Sequence, residues 1–201
     1  MTSAKEFIAV FYEQLRRYFI LHWLLSNIFG WSIGLFVGSV MAGIVFKVFG
    51  NLIGVLIGLP LAGAVAGAVV GAAQSKSLTG LSTQFDDERR WVTFSALGGA
   101  VGALPVFLTM FVLVIGKLGL VVIGGVFGLC FGWMQSSALS NNSGKPVIIW
   151  IVANIIGSGL CSFFSINGLP FALPVFCSLG PVLFGLITGF ALLTLIRNSE
   201  I

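Results

Sequence analysis

The sequence predicts an all-α polytopic membrane protein, with six transmembrane helices arranged as three parallel helical hairpins and both termini cytoplasmic. Three observations predict it. Of 201 residues, 58% are hydrophobic and only 8% charged, whereas an ordinary soluble domain carries about a quarter charged residues and needs them to cover its surface. Apolar runs close to the ~20 residues that cross a bilayer recur along the chain. Finally, two small-residue patterns alternate from run to run, one opening the odd runs and one closing the even ones.

The N-terminal segment, residues 1–22, reads as amphipathic and interfacial, the alternative being a simple extension of the first span. Phe7, Ile8, Phe11, Tyr12, Leu15 and Phe19 follow helical spacing, with Glu6, Glu13, Arg16 and Arg17 elsewhere on the wheel. No small-residue cleavage site follows a short apolar core, so the first span is expected to act as an uncleaved insertion signal. Residues 23–201 form the transmembrane domain. Its spans are expected at Trp23–Phe46, Leu52–Ala73, Trp91–Ile115, Leu118–Met134, Val147–Phe164 and Pro174–Ile196. Polar loops cover Gln74–Arg90 and Gln135–Lys145, and a short turn follows Asn167.

The even runs carry a glycine row. Gly63, Gly67 and Gly71 precede Gln74 and Leu78, and Gly124, Gly128 and Gly132 precede Gln135 and Leu139 at the same spacing. At 3.6 residues per turn the glycines and the amide share one narrow face, over which another helix approaches closely in lipid. The sixth run keeps Pro181, Gly185 and Gly189 but has Leu192 in place of Gln. The odd runs open on Trp23, Asn27, Gly30; on Trp91, Ser95, Gly98; and on Trp150, Asn154, Gly157. The repeating unit is thus a hairpin, at about 23–78, 91–139 and 147–197, and parallel repeats imply an axis along the membrane normal.

Orientation follows from the basic residues. Lys5, Arg16, Arg17, Lys76, Arg89, Arg90, Lys145 and Arg197 fall on one side, and only Lys47 and Lys117 on the other. The positive-inside rule makes the first side cytoplasmic. On that topology the Asn141-Asn-Ser143 sequence never meets the glycosylation machinery. Mitochondrial carriers also use three hairpins, but they carry paired charges inside the odd spans and this chain does not. The alternating Trp/Gly and Gly/Gln hairpins resemble a broad group of uncharacterised bacterial multipass proteins, common in cyanobacteria. That resemblance implies a bacterial inner or thylakoid membrane and brings no activity with it.

Little in the chain suggests catalysis. His22 is the only histidine and has no acidic residue near it in sequence. Asp86, Asp87 and Glu88 are followed at once by Arg89 and Arg90, which reads as a solvated, balanced loop rather than a metal site. Gln74-Ser-Lys76-Ser lacks the glycine of a phosphate loop. Cys130, Cys161 and Cys177 sit in apolar runs without metal-ligand spacing. The net charge of +4 flanks the spans and forms no basic stripe for nucleic acid. No cofactor or metal is expected, and the chain is not expected to be an enzyme.

Two features remain. Trp23, Trp91 and Trp150 lie at the cytoplasmic mouth, where interfacial anchoring is the usual role of a ring. Asn27, Gln74, Ser95, Gln135 and Asn154 come to a similar depth and form a polar layer, read either as interhelical hydrogen bonds or as a shallow vestibule for a small solute. The membrane centre lacks the charged groups that ion-coupled transport uses. The expected function is a scaffold, assembly or partner-binding subunit of a membrane complex, surrounded by lipid and contacting other membrane subunits. The alternative is a passive channel or transporter for a neutral or lipid-like solute.

Overall fold

The structure is a computed structural model that describes residues 4–78, 87–110, 116–139, 144–165 and 179–199. These form six α-helices and, among the described residues, no strand: α1 (Ala4–Phe49), α2 (Asn51–Leu78), α3 (Glu88–Met110), α4 (Gly116–Ser136), α5 (Gly144–Ser165) and α6 (Leu179–Ser199). Three stretches, Tyr18–Phe49, Leu52–Leu78 and Leu118–Ser136, are long and apolar enough to cross a membrane, and Val147–Phe163 and Gly180–Leu195 are shorter apolar helices. In lipid the backbone must bond to itself, which favours helices. α2 and α3 carry Pro60 and Pro105 within them.

Two ends show how local chemistry sets the boundaries. α1 and α2 are joined by Gly50 alone, whose φ of 64° is left-handed, and its N–H bonds the Phe46 carbonyl at 2.8 Å. This is the αL helix stop that glycine adopts without a Cβ penalty. At the start of α3, Asp87 Oδ1 accepts the Arg90 N–H at 2.9 Å and caps the helix.

The sequence boundaries shift in two places. The N-terminal segment is helical but runs into the first span without a break, so α1 is a single helix of 46 residues. Residue 22 is therefore no structural boundary, and Phe19 is already buried, its ring centroid 5.8 Å from that of Trp23. α2 continues through Leu78, taking Gln74 to Leu78 out of the expected loop. The first residues of the sixth span, the Asn141–Ser143 motif, Asp86 and Cys177 lie outside the described residues.

Each helix packs against its neighbours in the chain, and α6 returns to α1, which closes the six into a ring. Aromatic side chains fill its interior. Trp31 of α1 meets Phe127 and Phe131 of α4 and Phe184 of α6, with centroids 5.4 to 5.9 Å apart. Toward the end where the odd helices start and the even ones finish, Phe19, Trp23, Leu78, Trp91, Trp150 and Leu192 form a second buried cluster.

Candidate functional site

The site worth building is the polar layer just beneath that tryptophan cluster. Backbone proximity comes first, because it brings the side chains together. The glycine rows face neighbouring helices of the same chain. A Cβ on Gly67 would strike the Ser95 carbonyl, and one on Gly128 would strike the Asn154 carbonyl. One on Gly185 would lie 3.4 Å from Asn27 Cβ. In all three cases the middle residue of the row meets the residue four after the tryptophan on the next odd helix. Gly63 packs on Gly99, Gly71 on Ser95, Gly124 on Ser158 and Ser162, Gly132 on Asn154, and Gly189 on Trp23. Gly30 and Gly98 serve the other seam of each odd helix, against Val70 and Phe131.

With the backbones this close, Gln74 and Gln135 reach across. Gln74 Nε2 donates to Asn27 Oδ1 at 2.9 Å, and Gln74 Oε1 accepts from Trp91 Nε1 at 3.2 Å and from Gln135 Nε2 at 3.0 Å. Gln135 Nε2 also donates to Ser95 Oγ at 2.8 Å. Asn27, Gln74, Ser95 and Gln135 therefore form one connected network across α1, α2, α3 and α4. Asn154, the fifth expected member, does not join it. Its Nδ2 turns back to the Trp150 carbonyl at 2.9 Å, as Asn27 Nδ2 does to Trp23 at 2.8 Å.

All five residues are at most 1% exposed. The layer is closed over by Trp23, Trp91 and Trp150, with Leu78 and Leu192 packed among them. The layer is roofed rather than open at that end, so an open vestibule, the other reading, is not what the helices form. Interhelical bonds of this kind average about 0.6 kcal/mol in membrane proteins, so the network's main effect is to fix which helix lies against which.

The tryptophans need correcting too. Interface anchoring requires a ring in contact with headgroups or water, yet Trp23 and Trp150 are 0% exposed and Trp91 3%. They face one another: Trp23 and Trp150 meet edge-on at 6.2 Å, and Trp91 and Trp150 at 5.8 Å. The physical reason lies one turn along. Asn27, Ser95 and Asn154 share a helix face with these rings, and a polar side chain that must leave lipid takes the ring inward with it. Trp133 is the exposed one, at 62%.

Thr188 is the functional residue the sequence reading missed. It is fully buried and accepts the Trp23 indole N–H at 3.0 Å. Leu192 stands where the other rows have Gln, so Trp23 finds its acceptor one turn earlier on α6. The Leu192 in place of Gln was the one available signal that α6 differs here.

At the surface two contacts tie α3 to its neighbours. Lys76 pairs with Glu88 at 3.0 Å on the surface, and Arg90 bonds the Ser137 carbonyl at 2.6 Å. Among the described residues no group of His, Cys, Asp and Glu gathers to hold a metal. Cys130 is a free thiol. Compared with known proteins, the chain matches no family model, no curated protein and no solved structure.

Proposed function

We propose that this chain is an integral membrane protein of six spans, built as three parallel hairpins with both termini cytoplasmic, and that it works without catalysis as a scaffold or partner-binding subunit of a membrane complex. One observation carries the reading: the conspicuous polar side chains are spent inward, on the chain's own helices, beneath a lid of tryptophans. A channel for a neutral solute would need polar groups along an open axis, and here Trp31, Phe127, Phe131 and Phe184 occupy it. What the molecule offers outward is apolar: Phe36, Val48, Leu52 and Ile53 on α1 and α2 are 58 to 71% exposed. Such surface suits lipid or another subunit. The threefold reading draws support from the matching seats of Gly67, Gly128 and Gly185. The cytoplasmic placement draws support from the distribution of Lys and Arg. The resemblance to bacterial multipass proteins points to an inner or thylakoid membrane.

The test is native mass spectrometry of the tagged chain released from its own membrane into lipid nanodiscs. A second protein at fixed stoichiometry is expected, and its yield should fall when Phe36 and Ile53 are changed to Ala. A lone 21.3 kDa chain, or glycerol flux through reconstituted vesicles above that of empty ones, would refute the proposal.

A further inference from the structure

The hydrogen-bond arrangement of the layer can be fixed atom by atom, because several of its members can act in only one way. A backbone carbonyl only accepts, so the Asn27 atom facing Trp23 O is the nitrogen, and Oδ1 faces Gln74. An indole N–H only donates, so the Gln74 atom facing Trp91 is the oxygen. The Gln135 atom facing that oxygen must then be its nitrogen, which leaves Gln135 Oε1 on the other side. By the same logic Asn154 gives its nitrogen to Trp150 O and keeps Oδ1 unengaged. No amide flip relieves either one, since each flip would set like against like.

Three buried polar atoms thus have no partner within the protein: Gln135 Oε1, Asn154 Oδ1 and Trp150 Nε1. Their residues are 0% exposed. They belong to one neighbourhood, because Asn154 lies one turn from Trp150 on α5 and sits on Gly132, three residues before Gln135 on α4. The set comprises two acceptors and one donor. A direct bond from the Trp150 indole to Gln135 would leave the Asn154 oxygen unserved. In the first hairpin the equivalent oxygen, on Asn27, takes its proton from Gln74. The third hairpin has Leu192 at that place and supplies none.

We propose that a single water molecule is bound here, accepting from Trp150 Nε1 and donating to Gln135 Oε1 and Asn154 Oδ1. Water balances the count, with two protons for the two oxygens and a lone pair for the indole. Three bonds is also the usual number for an internal water. The tryptophan lid shuts out anything larger. The water takes the place in the third hairpin that a glutamine amide holds in the first, and it joins α4 to α5.

The test is water-to-indole magnetisation transfer in deuterated protein labelled with ¹⁵N-tryptophan, reconstituted in nanodiscs. The Trp150 signal is assigned by its loss in Trp150→Phe. We expect a dipolar cross-peak at the water frequency for Trp150 and none for Trp91, whose indole is bonded to Gln74. In Asn154→Leu, which removes one partner and fills the space with methyl groups, the Trp150 cross-peak should be lost. A wild-type Trp150 signal without a water cross-peak overturns the proposal, whether or not the variant folds. A cross-peak of undiminished intensity in a folded Asn154→Leu protein overturns the three-partner site.

Discussion

Replacing Gly128 with Ala adds one methyl group at a place where two helix backbones already touch. An ideal Cβ there would lie 2.7 Å from the Asn154 carbonyl carbon and 2.9 Å from Ser158 Cβ, besides striking the Asn154 oxygen. Ordinary carbon contacts need about 3.5 to 4.0 Å, so α4 and α5 must part by about 1 Å. Both obstructing carbons are rigid, one being backbone and the other a Cβ. Overpacking of this kind costs about 1–3 kcal/mol. Gly125 provides the control, one turn earlier on the same helix. A Cβ there meets only Ile155 Cγ2, at 3.7 Å, which is an ordinary contact. Both substitutions gain up to ~1 kcal/mol of helix propensity, which cancels in the comparison. Gly128→Ala should therefore be less stable than Gly125→Ala by about 1–3 kcal/mol. For a chain of this size each kcal/mol moves Tm by about 2–4 °C, which gives a gap of about 2–12 °C. Thermal unfolding followed by size-exclusion in one detergent measures it. Equal Tm values for the two variants would refute the claim that the glycine rows are seats for neighbouring backbones.

Four further outcomes are expected. Gln74→Leu leaves Asn27 Oδ1, Trp91 Nε1 and one proton of Gln135 unserved, and should cost about 2–4 kcal/mol in equilibrium unfolding, below the full cost of three stranded groups because alternative partners form in the membrane. Ser26→Ala, which breaks only a half-buried bond to Ser77, should cost less than ~1 kcal/mol. Brominated lipid should quench Trp133, which is 62% exposed, and spare Trp23, Trp91 and Trp150; Trp133→Phe should therefore remove most of the quenching in a fluorescence titration. In a cysteine-free background, Lys47→Cys and Lys76→Cys should react with an impermeant maleimide from opposite faces of the membrane, and labelling of both from one face would contradict the proposed topology.

Much of the helical layout is legible in the residues because lipid simplifies the problem. Where surrounding tails are as apolar as Leu, close approach depends on what a residue lacks. The spacing of Gly63, Gly67 and Gly71 therefore already marks a seam. Depth is legible as well, since Trp23, Trp91 and Trp150 each open a run and Gln74 and Gln135 each close one. Azimuth is harder. A tryptophan at a run's edge suits the interface or the interior equally, and only its shared face with Asn27, Ser95 or Asn154 decides between them. The extent of α1 was open for a similar reason: Glu13, Arg16 and Arg17 suit an interfacial helix and an extension of the first span equally, and α1 runs unbroken from Ala4 to Phe49. Thr188 was invisible as a site because its role comes from α6 closing onto α1, a contact between the two ends of the chain.

These particulars make the three proposed hairpins unequal. The first two are tied by one hydrogen-bonded network running through α1, α2, α3 and α4, and each of its internal bonds uses a glutamine that only those hairpins possess. The third is attached differently. α5 meets the rest through Trp150, Asn154 and the glycines of α4, and α6 is fixed to α1 by the Trp23–Thr188 bond and the seats of Gly185 and Gly189. Replacing glutamine with Leu192 takes an amide from the layer and adds apolar bulk to the tryptophan cluster. That exchange trades directional bonds for dispersion, which constrains register less tightly. The closure of the ring therefore depends on shape, with the hydrogen bond that Trp23 of α1 donates to Thr188 of α6 to set its register.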